Sequence, residues 1–231
     1  MSKFKFIEVN KDLLPKTKGR RIDGHRFYEI DGKNYPSITT VLNIRKKEGL
    51  TKWRESGGEG AANWEMARAA RRGKSTHTLI EQYLKSETPS ERSVLPLGLF
   101  KLLKPYVDQI NNIHLLEAIM YSHKLTVAGQ VDCVAEYNGK LSVIDFKTAN
   151  KERQESWIDN YFLQCTAYAI MYEEIFKKPI EQIVILLAGE DGSVACYKKD
   201  KKDYEESLGK AIKDFYKYYE DLNKDKIKNI K

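Results

Sequence analysis

Two strand-like runs joined by Asn138-Gly139 constrain the fold of this chain more than any other feature. Residues 130–137 and 140–147 are largely apolar and rich in β-branched and aromatic side chains. Asn-Gly between two such runs is a strong signal for a two-residue hairpin turn. A tight hairpin folds the second strand back along the first and brings Asp132 near Asp145. Residues two apart on a strand share a face, so Asp145 and Lys147 point the same way. Two carboxylates and an ammonium on one side of a sheet are a costly grouping unless a cation and an anion occupy the gap. A divalent metal, Mg²⁺ or Mn²⁺, and a scissile phosphate would fill it. The competing reading of the same residues is an ordinary ion pair on a surface hairpin.

The rest of the pattern mixes strands and helices. Asp31-Gly32 marks a second hairpin between residues 27–30 and 33–35, and Ser37 opens a short helix through Val41 and Leu42. From Leu50 to Arg72 the chain reads as helical but broken by Gly57-Gly58 and Gly60. The helix after Gly73 aligns His77, Ile80, Glu81 and Leu84 on one face. A helix over 95–113, interrupted near Pro105, leads into strands at 115–123, 127–137 and 140–147. A helix over 156–176 follows, then an apolar strand at 180–188 that reads as covered on both faces, paired with 194–197. The last helix, from Tyr204 to about Ile227, sets Leu208, Ile212, Phe215 and Tyr219 on one stripe. At 231 residues the chain is sized for one core. The expectation is a single α/β domain over 1–231: an N-terminal hairpin and helical part over about 25–90, a sheet core over about 114–200, and a C-terminal helix over 201–231.

Forty Lys and Arg against 33 Asp and Glu leave a net charge of +7, which fits a polyanionic partner and equally a charge-rich surface. Cys133, Cys165 and Cys196 are widely spaced and include no C-x-x-C pair, so neither a zinc site nor a four-cysteine iron–sulfur cluster is expected. No apolar run has the length of a membrane span. The first nine residues alternate like a strand and lack the arginine and serine enrichment of a transit peptide. The expected location is therefore the cytoplasm of a bacterium or a phage-infected host, with the mitochondrial matrix as the alternative for a mature form.

The acid, hairpin and acid-x-lysine pattern resembles the PD-(D/E)XK nuclease superfamily. Further motifs narrow the resemblance to its RecB-like branch. Gly73 to His77 is similar to that branch's Gly-x-x-x-His helix, Gln164 to Tyr168 matches its Gln-x-x-x-Tyr motif, and Glu117 stands where the branch often carries an acid. With residues 36–42 added, the pattern is most similar to the mitochondrial genome maintenance exonuclease family and its phage relatives. The resemblance implies a restriction-endonuclease-like core, with a central mixed sheet flanked by helices and an N-terminal helical arch through which a single strand passes.

It also implies roles for residues. Asp132, Asp145 and Lys147 would be catalytic, with the metal on His77, Asp132, Asp145 and the carbonyl of Phe146. Glu81 and Glu117 would stand behind or beside the ligands, although an exposed helical glutamate is as good a reading of Glu81. Gln164 and Tyr168 would face DNA or the lysine. Ser37, Thr39 and Thr40 could donate to phosphates or, equally, cap a helix. Trp53, Arg68, Arg71 and Arg72 combine aromatic and cationic groups as single-strand surfaces do, while the tryptophans read equally as core. The expected activity is a Mg²⁺- or Mn²⁺-dependent exonuclease on single-stranded DNA ends or flaps, acting as a monomer. The alternatives are a structure-specific or duplex-directed endonuclease, and a DNA-binding scaffold without chemistry.

Overall fold

The computed structural model describes residues 3–44 and 59–228. Its frame is a five-stranded mixed sheet in the order β4 (Ile110–Ser122), β5 (Val127–Tyr137), β6 (Lys140–Ala149), β7 (Gln182–Gly189) and β8 (Val194–Lys199). Every neighbouring pair is antiparallel except β6 and β7, which run parallel from Ser142↔Gln182 to Ala149↔Gly189. A parallel pair needs a crossover, and here the connection is the helix α4 (Asp159–Phe176). A smaller three-stranded meander, β1 (Arg20–Ile22), β2 (His25–Ile30) and β3 (Lys33–Pro36), packs beside the large sheet through Tyr28, Ile30, Tyr35 and Ala128.

Helices cover both faces of the large sheet. On one side α2 (Glu59–Leu84) and α3 (Val94–Val107) bury Leu79, Ile80, Leu84, Leu99 and Leu103 against Ile144, Phe146, Val184 and Leu186. On the other side α1 (Ile38–Ile44), α4 and α5 (Lys202–Lys228) pack on Val143, Ile183, Ile185 and Leu187. The central strand β7 is therefore buried on both faces, as its unbroken apolar run requires. Leu208, Ile212 and Phe215 form the buried stripe of α5, with Tyr219 packed against it.

Three elements differ from the sequence reading. Gly60 and Gly73 do not break the helix: α2 runs unbroken from Glu59 to Leu84, so the described part of 50–72 and the His77 helix are one rod. Neither glycine has a positive φ, and a helical glycine costs only about 1 kcal/mol relative to alanine, which packing against α3 offsets. The helix expected over 95–113 stops at Val107, and residues from Ile110 onward pair with Tyr137 and Glu136. Pro105 cannot donate in the last turn, and the longer β5 offers a partner to the chain beyond it. The N-terminal residues make a bridge at Phe6↔Ile113, with no extended strand among those described. Among the described residues no helix is long and apolar enough to cross a membrane.

Candidate metal and catalytic centre

The hairpin that carries the centre forms as its turn demands. Asn138 and Gly139 both have positive φ, 52° and 79°, the condition for a type I′ turn. That turn pairs Tyr137 with Lys140 and carries the register to Cys133↔Ile144. There the ladder ends. The next backbone donor, Phe146 N–H, is satisfied by a side chain instead: Asp132 Oδ2 accepts it at 2.9 Å.

Side-chain alternation also slips at this point, on two strands at once. On β4, Leu115 joins the α4 side of the core and Leu116 the α2 side, yet Ala118 and Met120 both face α4. On β5, Val131 faces α4, Cys133 faces α2 and Val134 faces α4. The break falls at Glu117, whose φ is +50°, and at Asp132. It turns both carboxylates toward α2 and His77. His77, Glu117 and Asp132 offer ligand atoms that all lie within 4.8 Å of one another. His77 Nδ1 is 3.6 Å from Asp132 Oδ2 and 3.9 Å from Glu117 Oε1, and His77 Nε2 is 2.7 Å from the Phe146 carbonyl oxygen.

These atoms fit a cation. A carbonyl only accepts, so the Nε2 contact requires the proton on Nε2. In the neutral ring Nδ1 is then a lone pair that, with two carboxylate oxygens beside it, can face a cation. Three converging acceptors suit a hard or borderline divalent ion. The electrostatics agree: burial, then the Asp132 charge, pushes the Glu117 carboxyl up to about 7.

Asp145 lies beside this cluster, close enough to feel the charges of Asp132 and His77. It is 1% exposed, its Oδ2 pairs with Lys147, and its Oδ1 accepts from Gln164 Nε2 at 3.3 Å. Burial pushes its carboxyl up to about 6, against the opposing pull of Lys147. Burial alone would lower Lys147, but the Asp145 and Asp132 carboxylates hold it above the ordinary lysine range. The ammonium also lies 5.0 Å from the centre of the Tyr161 ring. Glu117 thus joins His77 and Asp132, with the Asp145–Lys147 pair alongside, and the Phe146 carbonyl meets His77. Period-two alternation could not indicate this, because the alternation is what breaks.

Gln164 and Tyr168 are both buried. Inside the protein Gln164 Nε2 donates to Tyr168 Oη at 3.4 Å and to Asp145 Oδ1, the carboxylate that pairs with Lys147. Gly129 leaves room for the Tyr168 ring. A Cβ at that position would lie 2.8 Å from Tyr168 Cε1 and 3.2 Å from Ile38 Cγ2. Gly129→Ala should therefore push Tyr168 off its seat and cost about 1–3 kcal/mol of stability. Urea unfolding measures this; an unchanged midpoint would mean that the ring yields freely.

Other expected contacts resolve differently. Arg72 is buried and bonded to Glu190, Asn150 (2.6 Å) and Thr148 (3.2 Å), so it ties α2 to the ends of β6 and β7 and is not a surface cation. Arg68 also pairs with Glu190, and Trp64, 58% exposed, lies 5.8 Å from its guanidinium. Arg71 is exposed in a groove shared with Lys74. Ser37 and Thr40 are buried in a cap: Ser37 Oγ accepts from Thr40 N–H at 3.1 Å, while Thr39 Oγ1 is 2.9 Å from Ser37 Oγ. Glu81 lines the cleft over the cluster and pairs with Lys85 at 2.6 Å. Trp53 lies outside the described residues. Tyr161 and Glu190 were not singled out from the sequence, since a lone tyrosine or glutamate carries no spacing signal.

The Glu117 shift makes a testable prediction. Its folded pKa lies above its unfolded value, so the stability contributed by its proton is present below about 4.5 and lost as pH rises through about 7. Glu117→Gln, which still accepts a bond from Gln130, should raise the metal-free stability at pH 8 by on the order of 2–3 kcal/mol and change little at pH 4. Thermal unfolding at both pH values in EDTA measures this. An equal effect at both would remove charge as the cause.

A model described as the PD-(D/E)XK nuclease superfamily matches residues 45–230. The chain is 31% identical over 176 residues to "Mitochondrial genome maintenance exonuclease 1" of Homo sapiens, covering 69% of this chain and 51% of that protein. It is 29% identical over 182 residues to the Mus musculus protein of the same name, covering 72% and 53%. The chain spans about half the length of the curated relatives it matches. With the family model matched over most of its length, and with a five-stranded mixed sheet between helices, this chain belongs to the PD-(D/E)XK nuclease superfamily.

Proposed function

We propose that this nuclease is a divalent-metal-dependent exonuclease that hydrolyses phosphodiester bonds of single-stranded DNA from free ends or flaps. The observation that carries the reading is the convergence of His77, Glu117 and Asp132 beside the Asp145–Lys147 pair. The exonuclease relatives named above support the end dependence. A cation held on these groups, Mg²⁺ or Mn²⁺, would supply an acidified water and charge relief for the phosphate.

The chain's own residues do the rest. Glu117, Asp132 and His77 would hold the cation, with the Asp145 carboxylate beside them. Lys147 is kept protonated by Asp145, so it donates hydrogen bonds to the attacking water and to the charge that develops on phosphate. Gln164 and Tyr168 hold Asp145 in place. Arg71 and Lys74 on α2, with Trp64, give the strand a cationic and aromatic path.

The test is degradation of an end-labelled linear single strand with Mg²⁺, with Mn²⁺ and with EDTA. Cleavage with either ion and none in EDTA is the expected result. Full activity in EDTA would end the metal reading.

A further inference from the structure

We propose that Arg26 is a phosphate-binding residue of this nuclease, its guanidinium taking a backbone phosphate next to the one being cut. The proposal rests on the cleft around His77 and Glu117 being the cleavage centre. Arg26 lies on β2, in the small meander, outside every motif. Its side chain lines the cleft of about 540 Å³ that also holds Lys74, His77, Glu81, Glu117 and Gln130.

Its position is fixed at both ends of the residue. The backbone N–H donates to Thr40 Oγ1 at 3.1 Å, and the carbonyl accepts from Ser37 N–H at 2.8 Å. Ser37 in turn bridges to Ala128 on β5, the strand that carries Asp132. The Thr40 hydroxyl and the Ser37 backbone thus tie Arg26 to the catalytic strand. The stem runs over Gly19, where an added Cβ would lie 3.2 Å from Arg26 Cδ and 3.3 Å from Cγ, and the residue as a whole is exposed.

The head is different. Among the described residues the guanidinium has no carboxylate partner, although Glu81 and Glu117 line the same cleft. An arginine cannot shed its proton, and its planar donor fork matches two oxygens of a phosphate. With its backbone held and its head free of a carboxylate, the side chain can take a phosphodiester arriving in the cleft.

The test uses Arg26→Ala and Arg26→Lys in the full chain. Binding of a linear single-stranded oligonucleotide is followed by anisotropy over a salt series without divalent metal. KM and kcat are measured with Mn²⁺, and Mn²⁺ affinity is measured by calorimetry without DNA. Arg26→Ala should weaken oligonucleotide binding about 10- to 100-fold. It should reduce the log–log salt slope by about 0.7, one single-strand phosphate. KM should rise more than kcat falls, and Mn²⁺ affinity should hold. Arg26→Lys should keep the slope and recover part of the affinity, as a point charge without the fork. Unchanged binding and slope in Arg26→Ala would overturn the proposal. So would a changed Mn²⁺ affinity without DNA, which would assign Arg26 to the acids. A wild-type protein that binds the strand but cleaves none fails the reading of the cleft instead, an outcome distinct from any Arg26 result.

Discussion

Lys147→Ala should abolish cleavage and also destabilise the protein, whereas Asp132→Asn, whose amide oxygen can still accept from Phe146 N–H, should abolish cleavage without loss of stability. The two differ because of what each leaves behind. Lys147 is the partner of Asp145, a carboxylate 1% exposed whose other contact is Gln164 at 3.3 Å. Removing the lysine strands that carboxylate in the core, and breaking a buried pair this way costs about 3–5 kcal/mol. Asp132 instead crowds Glu117, so neutralising it relieves repulsion, and the asparagine keeps an acceptor for Phe146 N–H. The double replacement Asp145→Leu with Lys147→Met should recover most of the stability and none of the activity, since well-packed apolar groups often replace a buried pair without loss. Turnover should fall by at least about 100- to 1000-fold in Lys147→Ala, the usual cost of removing a donor to developing charge. Urea unfolding and single-turnover cleavage on the same preparations decide it. A Lys147→Ala protein of full stability would show that the pair is not held together as the structure has it. Full turnover would end the catalytic assignment.

A linear single strand should be consumed under conditions in which a covalently closed single-stranded circle survives. The two offer the same bases and phosphates, and differ only in having ends. If the strand reaches the His77 cleft by threading along α2, where Trp64, Arg71 and Lys74 are exposed, it must enter by an end. Binding of both should weaken with salt, by about 0.7 in log–log slope per phosphate held. Gel analysis of both substrates with Mn²⁺ separates the readings. Rapid cutting of the circle would show that no end is required and would favour the endonuclease alternative.

The sequence by itself determined the hairpin and its register. Asn138-Gly139 permits positive φ at both turn residues, and pairing Tyr137 with Lys140 sets Asp132 opposite Asp145 by counting alone. It also determined the two-sided burial of β7, because an unbroken apolar strand has no polar face to offer water. The Gln-x-x-x-Tyr spacing brought Gln164 and Tyr168 to one helical face, which here closes on Asp145. Only the tertiary structure decided which carboxylates converge. The alternation rule holds while a strand stays regular, and β4 and β5 both depart from it, at Glu117 and at Asp132. That departure brings Glu117 to His77 and Asp132, beside the Asp145–Lys147 pair. Burial was equally illegible. Arg72 reads as one basic residue among several, yet it is an internal tie because Glu190, 118 residues away, comes to meet it. Arg26 reads as one more charge on a surface strand. Its place beside the acids depends on Ser37 and Thr40 holding its backbone from another element, a contact between residues that no local period links.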